Sequence, residues 1–214
     1  MRALLGLLNG VLLAVYPLAV YFGLTRLSAR AVGLMLAAIL LPTLALRVRG
    51  ARREHLRAVL PVPVTVLAVV LLGAALDDRR LLMSLPVVIS GVLLAYFAGS
   101  LATVPIVERF ARMQSASLSP AQIRYCRAVT LVWCAFFVAN GSAAALLALF
   151  APLSTWAAYT GAGAYVLMGL LGATEYVVRK ARFREFGSGL HDRILSRIFP
   201  PPFAGTRATV RDES

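Results

Sequence analysis

The stretch AVTLVWCAFFVANGSAAALLALFAPLSTWAAYTGAGAYVLMGLLGAT, residues 128–174, runs for 47 residues without a charged side chain. One helical crossing of a bilayer needs about 20 apolar residues, so the stretch is long enough for two. Pro152-Leu153-Ser154-Thr155 interrupts it near the middle and reads as a tight turn between two antiparallel helices. Four further uncharged stretches lie upstream, at Ala3–Leu24, Ala31–Leu46, Ala58–Leu76 and Leu81–Val107. The pattern predicts an all-α, polytopic membrane protein: a bundle of six transmembrane helices over about 3–24, 30–47, 57–76, 81–103, 120–150 and 156–179. Residues 1–180 are then the membrane domain and 181–214 a basic tail.

Composition agrees. Sixty per cent of the 214 residues are hydrophobic and 14% are charged, against roughly 45–50% and 25% in water-soluble domains. The net charge of +13 would suggest nucleic acid in a soluble chain, but Lys and Arg also collect in the short cytoplasmic loops of membrane proteins. With the N-terminus inside, the six-span arrangement puts eighteen Lys and Arg on the cytoplasmic side and four outside. The expected orientation therefore has both termini in the cytoplasm, and no nucleic-acid partner is expected.

Two cytoplasmic segments carry helical periodicity. After Pro105, the apolar Ile106, Val107, Phe110 and Met113 alternate with Glu108, Arg109 and Arg112 at the spacing of a short amphipathic helix on the inner leaflet. Leu190, Ile194, Leu195, Ile198 and Phe199 predict a second interfacial helix over 190–199, stopped by Pro200-Pro201-Pro202. Ser119-Pro120-Ala121-Gln122 has the spacing of a capping box and starts the fifth helix below the bilayer, with Arg124, Tyr125 and Arg127 on its first turns.

Catalytic signatures are sparse. His55 and His191 both lie in arginine-rich segments, and the sequence has no HExxH, phosphate loop, GxSxG or paired-cysteine metal motif. Cys126 and Cys134, two helical turns apart, cannot bridge each other. No metal and no cofactor is expected. Polar groups within the spans are Asn9 and Asn140, each suited to a hydrogen bond across helices. Glu175 has Arg179 four residues on, an ion-pair spacing. Trp156 and Tyr159 fall at the outer end of the sixth span, where amphipathic rings favour the interface. Glu108, Arg109, Arg112, Arg124, Tyr125 and Arg127, with Glu175 and Arg179 nearby, form a candidate cytoplasmic site for an anion or an acidic partner, because basic side chains at the inner leaflet attract negative charge.

The segments Leu118–Phe137 with Asn140-Gly141, Pro105–Arg112, and Tyr165–Leu171 running on to Glu175-Tyr176 resemble an uncharacterised family of small bacterial inner-membrane proteins. These are encoded beside aryl polyene and other type II fatty-acid-like biosynthesis genes, and some carry the label "ketosynthase". Two positions depart from the family pattern: Tyr159-Thr160-Gly161 stands in place of Tyr-Asn-Gly, and Ser90 in place of an amide. A condensing enzyme needs a nucleophilic Cys assisted by two His, or by His and Asn, on a soluble fold. Neither cysteine here has such partners, so ketosynthase activity is not expected. The resemblance implies a non-catalytic accessory protein of a lipid-like or polyene biosynthetic or export pathway, with membrane lipids, acyl carrier protein or biosynthetic enzymes as its partners. Two other roles stay open: a small transporter of a lipid or hydrophobic anion, and a membrane-embedded acyl-transfer enzyme.

Overall fold

In a computed structural model, residues 20–50, 60–114 and 117–184 are described, and among them there is helix and no strand. The chain divides into two compact units, Met1–Leu167 and Met168–Ser214. Most of the first predicted span, with Asn9, the segment bearing His55, and the tail helix predicted at 190–199 fall outside the described residues.

The first unit holds α1 (Ala29–Gly50), α2 (Pro61–Leu76), α3 (Arg79–Met83), α4 (Leu85–Ser100), α5 (Ile106–Gln114), α6 (Pro120–Phe150) and α7 (Leu153–Ala158). A π-helical turn, Tyr159–Gly163, follows α7 and leads into α8 (Ala164–Phe183), which runs on into the second unit. Among the described residues three segments are long and apolar enough to cross a membrane: Ala29–Leu46, Pro120–Phe150 and Leu153–Phe183. The helical cores of the third and fourth predicted spans, Val62–Leu76 and Leu85–Ser100, are apolar but shorter.

The shortening has local causes. Helix α2 begins at Pro61, whose missing N–H suits a first helical position. The fourth predicted span is not one helix but two, α3 and α4, parted at Ser84. Pro86 explains the break, since its ring collides with the carbonyl four residues back and it cannot donate there. The Ser84 hydroxyl donates to the Leu81 carbonyl at 2.8 Å, which keeps the broken turn satisfied. Pro42 is tolerated inside α1. Helix α6 starts where the capping box placed it: the Gln122 N–H donates to Ser119 Oγ at 3.3 Å and the Ser119 N–H donates to Gln122 Oε1 at 2.7 Å.

Helix α1 packs on α2 and α4 on α6. At the first contact a Cβ on Gly33 would stand 2.7 Å from the Ala74 Cβ, so only glycine permits that approach. The same helix pair is tied at its end by Asp77, a left-handed residue (φ 52°) whose Oδ1 accepts from the Arg30 N–H at 2.6 Å. One buried cluster gathers Val20, Val32, Val70, Leu82, Leu85 and Trp156; a second joins α5 to α6 through Ile106, Val107, Ala111, Cys126 and Val129.

Candidate functional site

The six residues of the first unit assigned to an anion or partner site come together where α4 ends, α5 lies across and α6 begins. Glu108 and Arg112 hold each other there, and Arg109 and Arg127 bond to the nearby backbone. Helix α5 buries Ile106, Val107, Glu108 and Ala111, while Phe110 and Met113 are exposed. The apolar stripe expected to run through Phe110 and Met113 is thus only partly the docking face, which is rotated toward Ala111 and takes Glu108 with it. A carboxylate can be buried there because Arg112, one turn on, donates from Nε and a terminal nitrogen to the same Oε1 at 2.8 and 2.6 Å. Glu108 also occupies the first turn of α5, where the helix dipole favours negative charge.

Arg109 and Arg127 face backbone rather than acids. Arg109 donates to the Val104 carbonyl at 2.9 Å and to Thr103 Oγ1 at 3.3 Å. From α6, Arg127 reaches the Leu101 carbonyl at 3.0 Å. The last carbonyls of a helix have no partner within it, and cations near them are favoured by the dipole. Arg127 therefore closes the C-terminal end of α4, and Arg109 ties down the loop that follows it. Ser100 helps, donating to the Phe97 carbonyl and accepting from the Ile106 N–H at 2.6 and 3.0 Å. Arg124 is exposed on the first turns of α6, and Tyr125 packs beside the α5–α6 cluster. In the second unit Glu175 accepts from Arg179 at 2.6 and 2.8 Å.

A second constellation lies well inside the apolar stretches. Tyr159 donates its phenol to Asn140 Oδ1 at 3.0 Å, Asn140 Nδ2 donates to Ser90 Oγ at 3.1 Å, and Ser90 donates to the Pro86 carbonyl at 2.8 Å. Three segments contribute one residue each. Gly141 makes the meeting of α4 and α6 possible, since a Cβ there would lie 3.1 Å from the Ser90 Cβ. Tyr159 opens the π-helical turn, which inserts a residue into the helical repeat after it. Thr160 donates to the Trp156 carbonyl at 2.8 Å and steadies that turn. Toward α5, Phe97, Trp133, Phe136 and Phe137 form an aromatic cluster with ring centroids 5.1–6.2 Å apart.

Trp156 and Tyr159 both turn toward neighbouring helices. Trp156 is wholly buried in the first cluster, with no hydrogen-bond partner for its indole N–H among the described residues, and Tyr159 is turned onto Asn140. Asn140, Ser90 and Tyr159 each stand out separately in the sequence, but nothing local to any of the three reveals that they share a network.

Chemically the Ser90–Asn140–Tyr159 chain is not a nucleophile with its base. An amide cannot take a proton from Ser90, and the serine hydrogen is directed at a backbone carbonyl. Among the described residues no group of three or more His, Cys, Asp or Glu could hold a metal ion, and both cysteines are free thiols. An open hollow of about 560 Å³, lined by Leu24, Ser28, Leu76, Asp77, Asp78 and Arg79, does not include Asn140. No protein-family model matches the chain, and neither a curated protein nor a solved structure shows significant similarity to it.

Proposed function

We propose that the chain is a non-catalytic accessory protein of a bacterial inner membrane, with six spans and cytoplasmic termini, that serves a lipid-like or polyene biosynthetic or export pathway. The observation that carries this reading is the engagement of the acids at the helix ends. Glu108 is held by Arg112 and Glu175 by Arg179, so neither carboxylate stands ready as a general base. Acyl transfer would need a base beside a nucleophile, and the Ser90 network supplies an amide in that place. The uncharged stretches and the eighteen-to-four distribution of basic residues support six spans and this orientation. On the α5–α6 surface, exposed Phe110, Met113, Arg112 and Arg124 offer an apolar and basic face. That combination suits an acidic carrier protein or an acidic lipid headgroup.

Deleting the gene and profiling lipids and pigments tests the reading. Loss of the product with the soluble synthase intact supports the accessory role. Accumulation of finished product inside the cell points to export instead, and an unchanged profile removes the pathway assignment.

A further inference from the structure

The hydrogen-bond chain through Asn140 runs in one direction, from Tyr159 to Asn140 to Ser90 to the Pro86 carbonyl. Following it bond by bond shows what is left over. A carboxamide carries two N–H donors and a carbonyl oxygen with two lone pairs, and a phenol both donates and accepts. Among the described residues Asn140 uses one N–H and one lone pair, and Tyr159 uses its donor alone. An amide N–H and a phenol oxygen therefore remain, on atoms separated by no more than one amide group and one hydrogen bond. Both residues are partly exposed, whereas Ser90 is buried at 4% exposure. In hydrocarbon such groups are costly to leave without partners.

Depth narrows what can approach them. Asn140 is ten residues before the end of α6 at Phe150, which is about 15 Å at 1.5 Å per residue, near the middle of a hydrocarbon layer about 30 Å thick. A phosphate or carboxylate headgroup does not reach that level without leaving water. A hydroxyl on an alkyl chain does, and it can accept from the Asn140 N–H and donate to the Tyr159 oxygen together. A carbonyl or ether could only accept. The aromatic cluster of Phe97, Trp133, Phe136 and Phe137 lies beside the same stretch of α6 and offers apolar surface to the rest of a chain.

We propose that Asn140, positioned by Ser90, and Tyr159 form an intramembrane recognition site for an alkyl-chain hydroxyl, with a hydroxylated fatty acyl amphiphile as its ligand. The inference rests on the membrane reading above and on no particular pathway.

The test uses the full chain in lipid nanodiscs and compares radiolabelled 12-hydroxyoctadecanoic acid with octadecanoic acid, the hydroxyl of the first lying at mid-bilayer depth. Two hydrogen bonds of membrane strength predict about tenfold tighter binding of the hydroxylated acid. Tyr159→Phe and Asn140→Leu should each abolish that preference while leaving binding of the plain acid unchanged. Tyr159→Phe keeps the ring, so it preserves packing even where Asn140→Leu impairs folding. Equal binding of the two acids to the unaltered protein, as expected if water fills the position, overturns the proposal. So does a preference that survives in Tyr159→Phe. Either result leaves the accessory role, read from the deletion strain, standing on its own.

Discussion

Adding one methyl group at Gly141 should weaken the membrane unit, and the structure says by how much and through which atom. A Cβ at this position would stand 3.1 Å from the Ser90 Cβ, inside ordinary van der Waals contact, so α4 and α6 must separate by a few tenths of an ångström. Overpacking of this kind costs about 1–3 kcal/mol. Separation also stretches the Asn140–Ser90 hydrogen bond, worth about 0.6–1.7 kcal/mol between membrane helices. Against this, Ala is a better helix former than Gly by about 0.8–1.0 kcal/mol. The balance for Gly141→Ala is a loss of about 1–3 kcal/mol. Gly91 and Gly99, which have nothing within 4 Å of an added Cβ, provide the control. Alanine at either should be neutral or stabilising by up to about 1 kcal/mol. Unfolding the protein from mixed micelles by a denaturing detergent measures all three. Because the obstructing atom is the Ser90 Cβ, the cost of Gly141→Ala should largely vanish in a Ser90→Gly background. A Gly141→Ala protein as stable as the parent, or a cost unchanged by Ser90→Gly, would refute the packing argument.

Arg109→Lys keeps the positive charge but loses the planar fork that serves both the Val104 carbonyl and Thr103 Oγ1. It should lower stability by about 1 kcal/mol without altering membrane insertion, read by unfolding and by reporter fusion. Ser119→Ala removes the acceptor for the Gln122 N–H and should cost about 0.5–2 kcal/mol in the same unfolding assay. Reporter domains fused after Arg53 and Arg182 should report the cytoplasm, and those after Asp78 and Ser154 the outside. Cytoplasmic labelling at Asp78 would remove the six-span arrangement.

How far the fold was legible depended on whether its cause was local. The capping box at Ser119 and Gln122 could be read because four consecutive residues contain it whole. The Pro152 turn is likewise complete in its own stretch. Pro86 announced a distortion, but the break falls two residues earlier, at Ser84, because proline acts on the turn behind it. Burial was harder. Glu108 looked like part of a polar face, yet it lies beneath α5, since only the packing of α5 on α6 says which side is covered. The site shows the same division. Glu175 and Arg179 could be paired from their spacing of four, while Arg127 meets Leu101 across 26 residues and Asn140 meets Ser90 across 50. No periodicity encodes such distances. Arg127 turns to the Leu101 carbonyl because a helix end leaves such acceptors open.

Asp77 sets a narrow rule for substitution. Its backbone is left-handed, a conformation that costs most L-residues about 1–2 kcal/mol and that Gly, Asn and Asp adopt most readily. Its side chain at the same time accepts from Arg30, 47 positions away, at the start of α1. Glycine satisfies the first demand and fails the second; glutamate offers an oxygen but fits the backbone poorly. Asparagine alone among the other residues meets both. In a library randomised at this codon and selected for folded protein, the survivors should be enriched in aspartate and asparagine, which differ by an oxygen and an amide nitrogen. The joint between α1 and α2 thus rests on one residue that answers a backbone demand and a side-chain demand at once.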